Sequence, residues 1–219
     1  MMTKTREIVL PGEVLAESKE YRPGHGTFVE DGKIISKFLG IPKKNGYFFV
    51  VPLSGVYLPK QQDKIIGLIT GIEKVGWVVD INSPWEAFLP LSEAVDEFID
   101  FKKTDIIRYY DVGDIIYAKI LDVKRGNIAL TMKERMARKL RGGVTIKITP
   151  SKVPRLIGKE GSMINTIKEK TGTVIRVGQN GVVWISGENV DKAIKAIKII
   201  EEKSHIIGLT DEISKLLSD

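Results

Sequence analysis

The chain has 219 residues with 42% hydrophobic content, enough for one large domain or for two to three small ones. It contains no cysteine, and its two histidines, His25 and His205, are far apart, so disulfides, thiolate chemistry and a histidine-based metal site are not expected. No apolar stretch approaches the roughly 20 residues that cross a bilayer, and the first residues lack the apolar segment of a signal peptide. We therefore expect a cytoplasmic protein with no membrane partner, no cofactor and no bound metal.

The formal net charge of +6 is unevenly distributed along the chain. Residues 139–219 carry 14 lysines and arginines against nine acidic residues, whereas the preceding segments are nearly balanced. Nine of these cations fall within residues 139–176, where the acidic residues are Glu160 and Glu169. Such a concentration of positive charge is typical of a surface that binds a polyanion.

Residues 1–63 consist of short apolar runs separated by turns. Asp31-Gly32 and Asn45-Gly46 each lie between strand-like runs, which is a strong local signal for a β-hairpin. The segment shows no helical periodicity. We predict a small N-terminal all-β domain, and its apolar strands exceed what about 60 residues can cover, which favours docking on a partner.

Residues 64–138 predict a second β domain. They contain "KIIGLITGIEKVGWVVDI", then "AFLPLSEAVDEF", and finally "DVGDIIYAKILDV" and "NIALTMKE". Five strands with one short helix between the third and the fourth are typical of a five-stranded OB-type barrel. Such barrels bind single-stranded nucleic acid on a face that combines stacking aromatic side chains with basic residues.

Residues 139–219 alternate strands and helices in the order βααββα, and a further short helix is predicted to start near Thr210. Between the first two helices lies "RLIGKEGSMIN", in which Gly158 and Gly161 flank two charged residues. Glycines let a phosphate approach the backbone at the N-terminus of the second helix, because no Cβ atom blocks it. Taken alone, Gly-x-x-Gly is also compatible with an ordinary turn between two helices.

In its βααββα setting this motif resembles the type I KH domain, in which the loop clamps the nucleic-acid backbone and an apolar platform holds the bases. The resemblance implies an RNA-binding set made of the loop and the platform, namely Arg155, Ile157, Gly158, Lys159, Glu160, Gly161, Ile164 and Ile175. Glu160 departs from the family pattern, because its charge opposes a phosphate. A purely architectural role for the loop therefore stays open.

The middle segment resembles the S1-type RNA-binding barrel. The resemblance is carried by the Val-Gly-Asp turn of residues 112–114, the lysine-bearing strand that follows it, and the Ile-x-Leu-Thr-x-Lys pattern of residues 128–133. It implies stacking aromatic residues and phosphate contacts, namely Trp77, Trp85, Lys74, Lys119 and Arg125. Lys102, Lys103 and Arg108, in the polar stretch before the fourth strand, are expected at the surface or against a polyanion. Both tryptophans are also compatible with the barrel core.

The order of an N-terminal β domain, an S1-type barrel and a KH domain resembles the RNA-binding cap subunits of the archaeal-type RNA exosome over the whole chain. The resemblance implies a multidomain fold, mainly β plus α+β, divided as 1–63, 64–138 and 139–219. It further implies a subunit without catalytic residues, present in three copies on a ring of RNase PH-type subunits. Such a subunit captures single-stranded RNA and guides its 3′ end into the pore for 3′ to 5′ degradation or processing.

Two other functions stay open at this point. A free-standing RNA-binding translation or ribosome-maturation factor can use the same modules. A hydrolytic nuclease is the third interpretation, although the sequence shows no recognisable set of nucleophile, base and carboxylate. A pull-down separates the exosome cap from the free-standing factor, because an exosome cap co-purifies with RNase PH-like proteins and a free factor does not.

Overall fold

The computed structural model describes residues 8–95, 106–124, 126–204 and 209–217. The chain forms two compact units, one ending at Gly55 and the other beginning at Val56. In the described part of the first unit, two three-stranded sheets have the orders β1-β4-β3 and β2-β6-β5. Their strands are β1 (Val14–Glu17), β2 (Arg22–Pro23), β3 (Thr27–Glu30), β4 (Lys33–Ser36), β5 (Gly40–Lys44) and β6 (Tyr47–Pro52).

Both hairpins predicted for the first unit are confirmed. Strands β3 and β4 pair up to Glu30 and Lys33, and the two residues between them, Asp31 and Gly32, have positive φ angles as in a type I′ turn. Strands β5 and β6 pair around Asn45-Gly46. The turns predicted at Asp31-Gly32 and Asn45-Gly46 thus connect the paired strands of the two hairpins.

The second unit begins with a closed five-stranded barrel, as predicted. Its strands are β7 (Lys64–Glu73), β8 (Gly76–Asp80), β9 (Ala87–Pro90), β10 (Ile115–Lys124) and β11 (Asn127–Thr131), and the short helix α1 (Leu91–Ala94) follows β9. The barrel closes because β11 pairs with β9 on one side and with β10 on the other. A short strand, β12 (Arg138–Leu140), extends the sheet along β10.

Residues 56–63 pack with the barrel, whereas the sequence division placed them in the N-terminal domain. Tyr57 is buried in the barrel core, and its hydroxyl group donates a hydrogen bond of 2.6 Å to the Asp63 carboxylate. The Gln62 N–H group donates to the carbonyl oxygen of Ile120 on β10. The structural boundary therefore lies near residue 55, because the segment before β7 contributes a core side chain to the barrel.

The remainder of the second unit has the predicted βααββα order of a type I KH domain. Its elements are β13 (Val144–Lys147), α2 (Val153–Ile157), α3 (Ser162–Thr171), β14 (Thr173–Val177), β15 (Val182–Gly187) and α4 (Val190–Glu202), followed by the predicted tail helix α5 (Leu209–Leu216). The sheet is antiparallel with the order β13-β15-β14. The helices cover one of its faces, where Ile175, Val183 and Ile185 join helical side chains in the core.

The other face of the KH sheet packs against the barrel. Val182 and Trp184 of β15 form a buried apolar cluster with Ile66 of β7 and with Leu140. The turn between β14 and β15 lies on β7, where Asn180 is completely buried. The Asn180 amide nitrogen donates to the carbonyl oxygens of Ile66 at 2.7 Å and Ile81 at 2.8 Å, and its amide oxygen accepts from the Ile66 N–H group at 3.3 Å.

The buried amide takes the place of a missing strand. Pairing between β7 and β8 begins at Leu68, so the backbone of Lys64 and Ile66 extends beyond the end of β8. A carboxamide has the same donor and acceptor as a peptide group, and Asn180 therefore satisfies Ile66 as a neighbouring strand does. Gln179 extends the same pairing, because its backbone N–H donates to the Lys64 carbonyl oxygen at 2.8 Å and its side-chain oxygen accepts from the Lys64 N–H at 2.6 Å.

We expect Asn180→Ala to lower the free energy of unfolding by about 2–3 kcal/mol, because it leaves buried backbone groups of Ile66 and Ile81 without partners. Urea titration followed by circular dichroism measures the change. Asn165→Ala on the exposed side of α3 is the matched control and is expected to keep the wild-type stability. Wild-type stability of Asn180→Ala would contradict the role assigned to the amide.

Candidate nucleic-acid interface

The barrel residues predicted from sequence lie at opposite ends of β7. Lys64, at the start of this strand, pairs with Lys119 of β10, and the β10–β11 turn extends beyond this point. Lys74 lies in the β7–β8 turn at the other end. The structure therefore divides the predicted contacts into two groups instead of one continuous patch.

Lys74, in the β7–β8 turn, is exposed. Its neighbour Val75 is exposed as well, and the Val75 carbonyl oxygen accepts a hydrogen bond of 2.9 Å from the N–H of Leu91, which ties the turn to α1. Gly76 lies so close to β9 that a Cβ atom there would be 2.2 Å from the Leu89 carbonyl oxygen. The turn is thus fixed on the barrel and presents Lys74 to solvent.

Trp77 lies in the barrel core, and the expectation that it stacks on a base is corrected. Its side chain is 0% exposed, and its ring meets the Tyr110 ring edge to face at 5.2 Å. The indole N–H donates to the Tyr110 carbonyl oxygen at 2.9 Å. No face of this ring is accessible to a nucleotide, because Trp77 points inward on β8 together with Val79.

Trp85 has the exposure that stacking requires. It lies in the loop between β8 and β9, is 47% exposed, and is held by Ser83, whose hydroxyl group accepts from the Trp85 N–H at 3.1 Å. Its ring lies beside Gly126 in the β10–β11 turn. The exposed Lys124 precedes this turn and pairs with Asp122, which holds the pKa of that carboxyl below its usual value. An exposed aromatic ring beside a basic hairpin is an arrangement that binds single strands.

Arg108 and Tyr109 form a second site where a cation and a ring meet. The Arg108 guanidinium lies 4.9 Å from the centre of the Tyr109 ring and donates a hydrogen bond of 2.8 Å to its hydroxyl oxygen. Tyr109 was missed in the sequence, although a basic residue next to two tyrosines in "RYY" is a usable signal for stacking. Three other predicted contacts, Lys102, Lys103 and Arg125, lie outside the described residues.

Lys119 is not an isolated cation. Its ammonium group lies 3.1 Å from one carboxylate oxygen of Glu134, and the ammonium group of Lys64 lies 3.3 Å from the other. Hydrogen bonds from Lys119 and Lys64 hold the pKa of Glu134 below its usual value, so the carboxylate stays ionised. No local pattern marks Lys64 and Glu134 as partners, because the contact joins residues 70 positions apart.

Residues 158–161 form the loop between α2 and α3, as the KH resemblance predicts. Gly158, Glu160 and Gly161 all have positive φ angles, and Lys159 and Glu160 are exposed. At Gly158 a Cβ atom would be 2.8 Å from the backbone nitrogen of Met163. Gly161 caps α3 without a side-chain acceptor, and the Ser162 N–H group at the start of this helix donates to the Lys159 carbonyl oxygen.

Two of the three isoleucines expected to form the apolar platform are inaccessible in the structure. Ile164 of α3 and Ile175 of β14 are buried in the KH core, so neither presents an accessible surface to a base. Ile157 is half-buried at the end of α2, where Arg155 is also half-buried. Side chains alternate between the two faces of β14, so that Ile175 points into the core and its neighbour Val174 is the accessible one.

Across the residues that the structure describes, no group of three or more histidine, cysteine, aspartate or glutamate side chains is placed to hold a metal ion. Among the same residues, no helix has the length and apolar character needed to cross a membrane. Exposed aromatic side chains and exposed lysines on the described surface are groups that bind an anionic strand.

Comparison with known proteins gives family matches along most of the chain. Residues 8–43 match the family described as "Exosome complex exonuclease RRP4 N-terminal region". Residues 58–133 match the S1 RNA binding domain, and residues 143–202 match the KH domain.

Relatives match over nearly the full length. The exosome complex component Rrp4 of Thermococcus kodakarensis is 46% identical over 224 residues, which cover 99% of this chain and 87% of the relative. Rrp4 of Methanothermobacter thermautotrophicus is 43% identical, covering 99% of this chain and 70% of the relative. A crystal structure provisionally described as an exosome complex RNA-binding protein has a TM-score of 0.68 at 34% identity, covering 74% of this chain and 95% of that chain.

The three tryptophans allow a direct test of stacking, because Trp85 is 47% exposed while Trp184 is 7% and Trp77 is 0% exposed. We expect single-stranded RNA to quench the intrinsic fluorescence, and we expect Trp85→Phe to lose most of this quenching. Trp85→Ala should weaken binding by about 5- to 150-fold, since a stacked base contributes roughly 1–3 kcal/mol. Trp184→Phe is the matched control, and persistent quenching in Trp85→Phe would contradict the assignment.

Proposed function

The chain belongs to the family of the exosome component Rrp4, and we propose that it captures single-stranded RNA as a non-catalytic cap of an exosome in the cytoplasm. In this proposal three copies sit on a ring of RNase PH-type subunits. They guide the 3′ end of the RNA into the pore for 3′ to 5′ degradation or processing. The match over 99% of the chain supports the proposal, and so does the match of residues 8–43 to a family of Rrp4 N-terminal regions.

The observation that carries the capture step is the exposed ring of Trp85 on a barrel that belongs to one compact unit with the KH domain. Two binding modules held in one geometry act on the same strand at a high effective concentration. Weak contacts of each module then suffice to hold RNA without a tight single site. Lys74, Arg108 and Lys119 on the barrel, and Lys159 in the KH loop, supply the positive charge that attracts the backbone.

The N-terminal unit suits the docking role. Within residues 8–55 many large apolar side chains are exposed, namely Ile8, Leu10, Val14, Val29, Leu39, Tyr47, Val51 and Leu53. So many exposed large apolar side chains within one small unit favour a surface that another protein covers. We assign these residues to the contact with the ring.

Leu10→Asp tests the docking surface, because Leu10 is 60% exposed and a charge there opposes an apolar interface. We expect this variant to fold and to lose co-elution with the ring subunits in size-exclusion chromatography. Val174→Asp is the matched control, since Val174 is 54% exposed in the KH domain. Equal loss in both variants would remove the assignment to the N-terminal unit.

The complete proposal is tested by a pull-down with the tagged chain, followed by RNA degradation assays of the ring. We expect RNase PH-like proteins to co-purify, and we expect the ring to bind and degrade labelled RNA faster with the subunit than without it. The advantage should shrink as salt increases, because backbone contacts are screened.

Two controls make this test decisive. The chain alone, given labelled RNA with magnesium or with phosphate, should leave the RNA intact, and degradation would favour the nuclease interpretation. Equal RNA affinity of the ring with and without the subunit would contradict the capture role. Absence of ring proteins from the pull-down would favour a free-standing RNA-binding factor.

A further inference from the structure

A cluster of cations lies where the barrel meets the KH sheet, apart from both the Trp85 loop and the loop of residues 158–161. We call it the seam, and it consists of Lys64, Tyr117, Lys119, Glu134 and Arg176. Three of these side chains are cationic and one is a carboxylate. The barrel contributes one side of the seam and the KH domain the other.

The barrel side follows from the strand register. Lys64 and Lys119 lie directly opposite each other on β7 and β10, and Ile66 and Tyr117 form the next pair. Ile66 points away from the barrel interior into the apolar contact with the KH sheet, and Tyr117 packs against the same contact. Because side chains alternate along a strand, Lys64 and Lys119 share this outward face at the margin of the contact.

The KH side begins at the turn that docks on β7. Gln179 pairs with the backbone of Lys64, and Arg176 lies three residues before it on β14. Arg176 pairs with Trp184, whose side chain lies in the contact with the barrel, so Arg176 shares the barrel-facing side of the sheet. Directly opposed residues of an antiparallel pair project to the same face.

Electrostatics connects the two sides. Burial raises the pKa of Tyr117, whereas the charges of Lys64 and Arg176 act in the opposite direction, so this phenol lies within reach of cations from both domains. Burial and the charge of Arg176 lower the pKa of Lys168 on α3. Positive charges from both domains therefore act on the seam, and such a field favours an anion there.

We propose that the seam binds a phosphate of single-stranded RNA, and that Glu134 occupies the position of this phosphate in the unbound protein. The Glu134 carboxylate bridges Lys64 and Lys119 with distances of 3.3 and 3.1 Å, as a phosphate group does when two lysines bind it. RNA displaces the carboxylate and adds a contact to Arg176. The seam thus continues the RNA path from the barrel to the KH domain.

RNA fits the seam better than an acidic protein surface does. Protein interfaces need a dry apolar centre, whereas the seam presents charged and phenolic side chains. Recognition of a nucleic-acid backbone requires only cations and hydrogen-bond donors in register with phosphates. The inference rests on the proposed RNA-binding function and names a further site for it.

The test uses the full-length chain and a labelled adenosine oligonucleotide of about 16 nucleotides, the upper end of what one OB fold covers. Affinity is measured by fluorescence anisotropy over a range of chloride concentrations. Arg176→Gln should reduce the slope of log affinity against log salt by about 0.7 and weaken binding about fivefold near 0.1 M salt. Arg176→Lys should keep most of the affinity, because the charge is retained.

Glu134→Gln should have the opposite effect, which a structural role alone does not produce. Freeing Lys64 and Lys119 should tighten binding and steepen the salt dependence by about 0.7 for each lysine released. Lys192→Gln on the exposed side of α4 removes one positive charge away from the seam and is the matched control. Thermal unfolding of each variant checks that the fold is retained.

The outcomes separate the seam from the proposed function. If Arg176→Gln equals Lys192→Gln and Glu134→Gln equals wild type, while Trp85→Ala weakens binding, the seam is overturned and the RNA-binding function stands. If the wild-type chain does not bind the oligonucleotide at low salt, both fail. Inorganic phosphate at matched ionic strength is the second probe. If the seam variants change the binding of inorganic phosphate but not the binding of RNA, the seam is a site for the free anion and the RNA proposal is wrong.

Discussion

The buried amide of Asn180 is the contact on which the arrangement of the second unit depends. Strand β7 is longer than β8, and the exposed part of its edge must find hydrogen-bond partners from elsewhere. Asn180 and Gln179 supply them from the KH domain, so the KH turn pairs with the part of β7 that no barrel strand covers. Because the Asn180 bonds are buried and accompany the packing of Trp184 on Ile66, the two modules are fixed with respect to each other.

Two segments with the same glycine spacing show how the surroundings decide what a motif does. Gly158 and Gly161 enclose exposed charged residues ahead of α3, whereas Gly178 and Gly181 enclose the side chains that dock on β7. At Gly178 a Cβ atom would be 2.8 Å from the Ile66 nitrogen, and Gly181 needs a positive φ angle. The first pair leaves backbone accessible to a ligand, and the second pair makes room for another domain.

Local features of the sequence predicted the fold well, because hairpins, alternation and helix order depend on neighbouring residues. The alternating Trp77, Val79 and Ile81 could also have shown that Trp77 points inward, whereas Trp85 lies after the strand in a turn-rich loop. Contacts between distant residues were out of reach of the same reasoning. The bond between Asn180 and Ile66 spans 114 positions, and no local pattern encodes it.

Fixing the two modules has a consequence for how a strand moves over them. Because the two modules are already fixed, RNA contacts both of them without further loss of conformational entropy in the protein. Several weak contacts can therefore act jointly to hold one RNA strand. A subunit that delivers RNA to other subunits also has to release it, and release rates set most differences in affinity. A carboxylate such as Glu134, placed among lysines, competes with each phosphate and keeps the individual contact weak. Attraction by the positive surface and competition by an internal anion together favour a strand that is held and still able to slide.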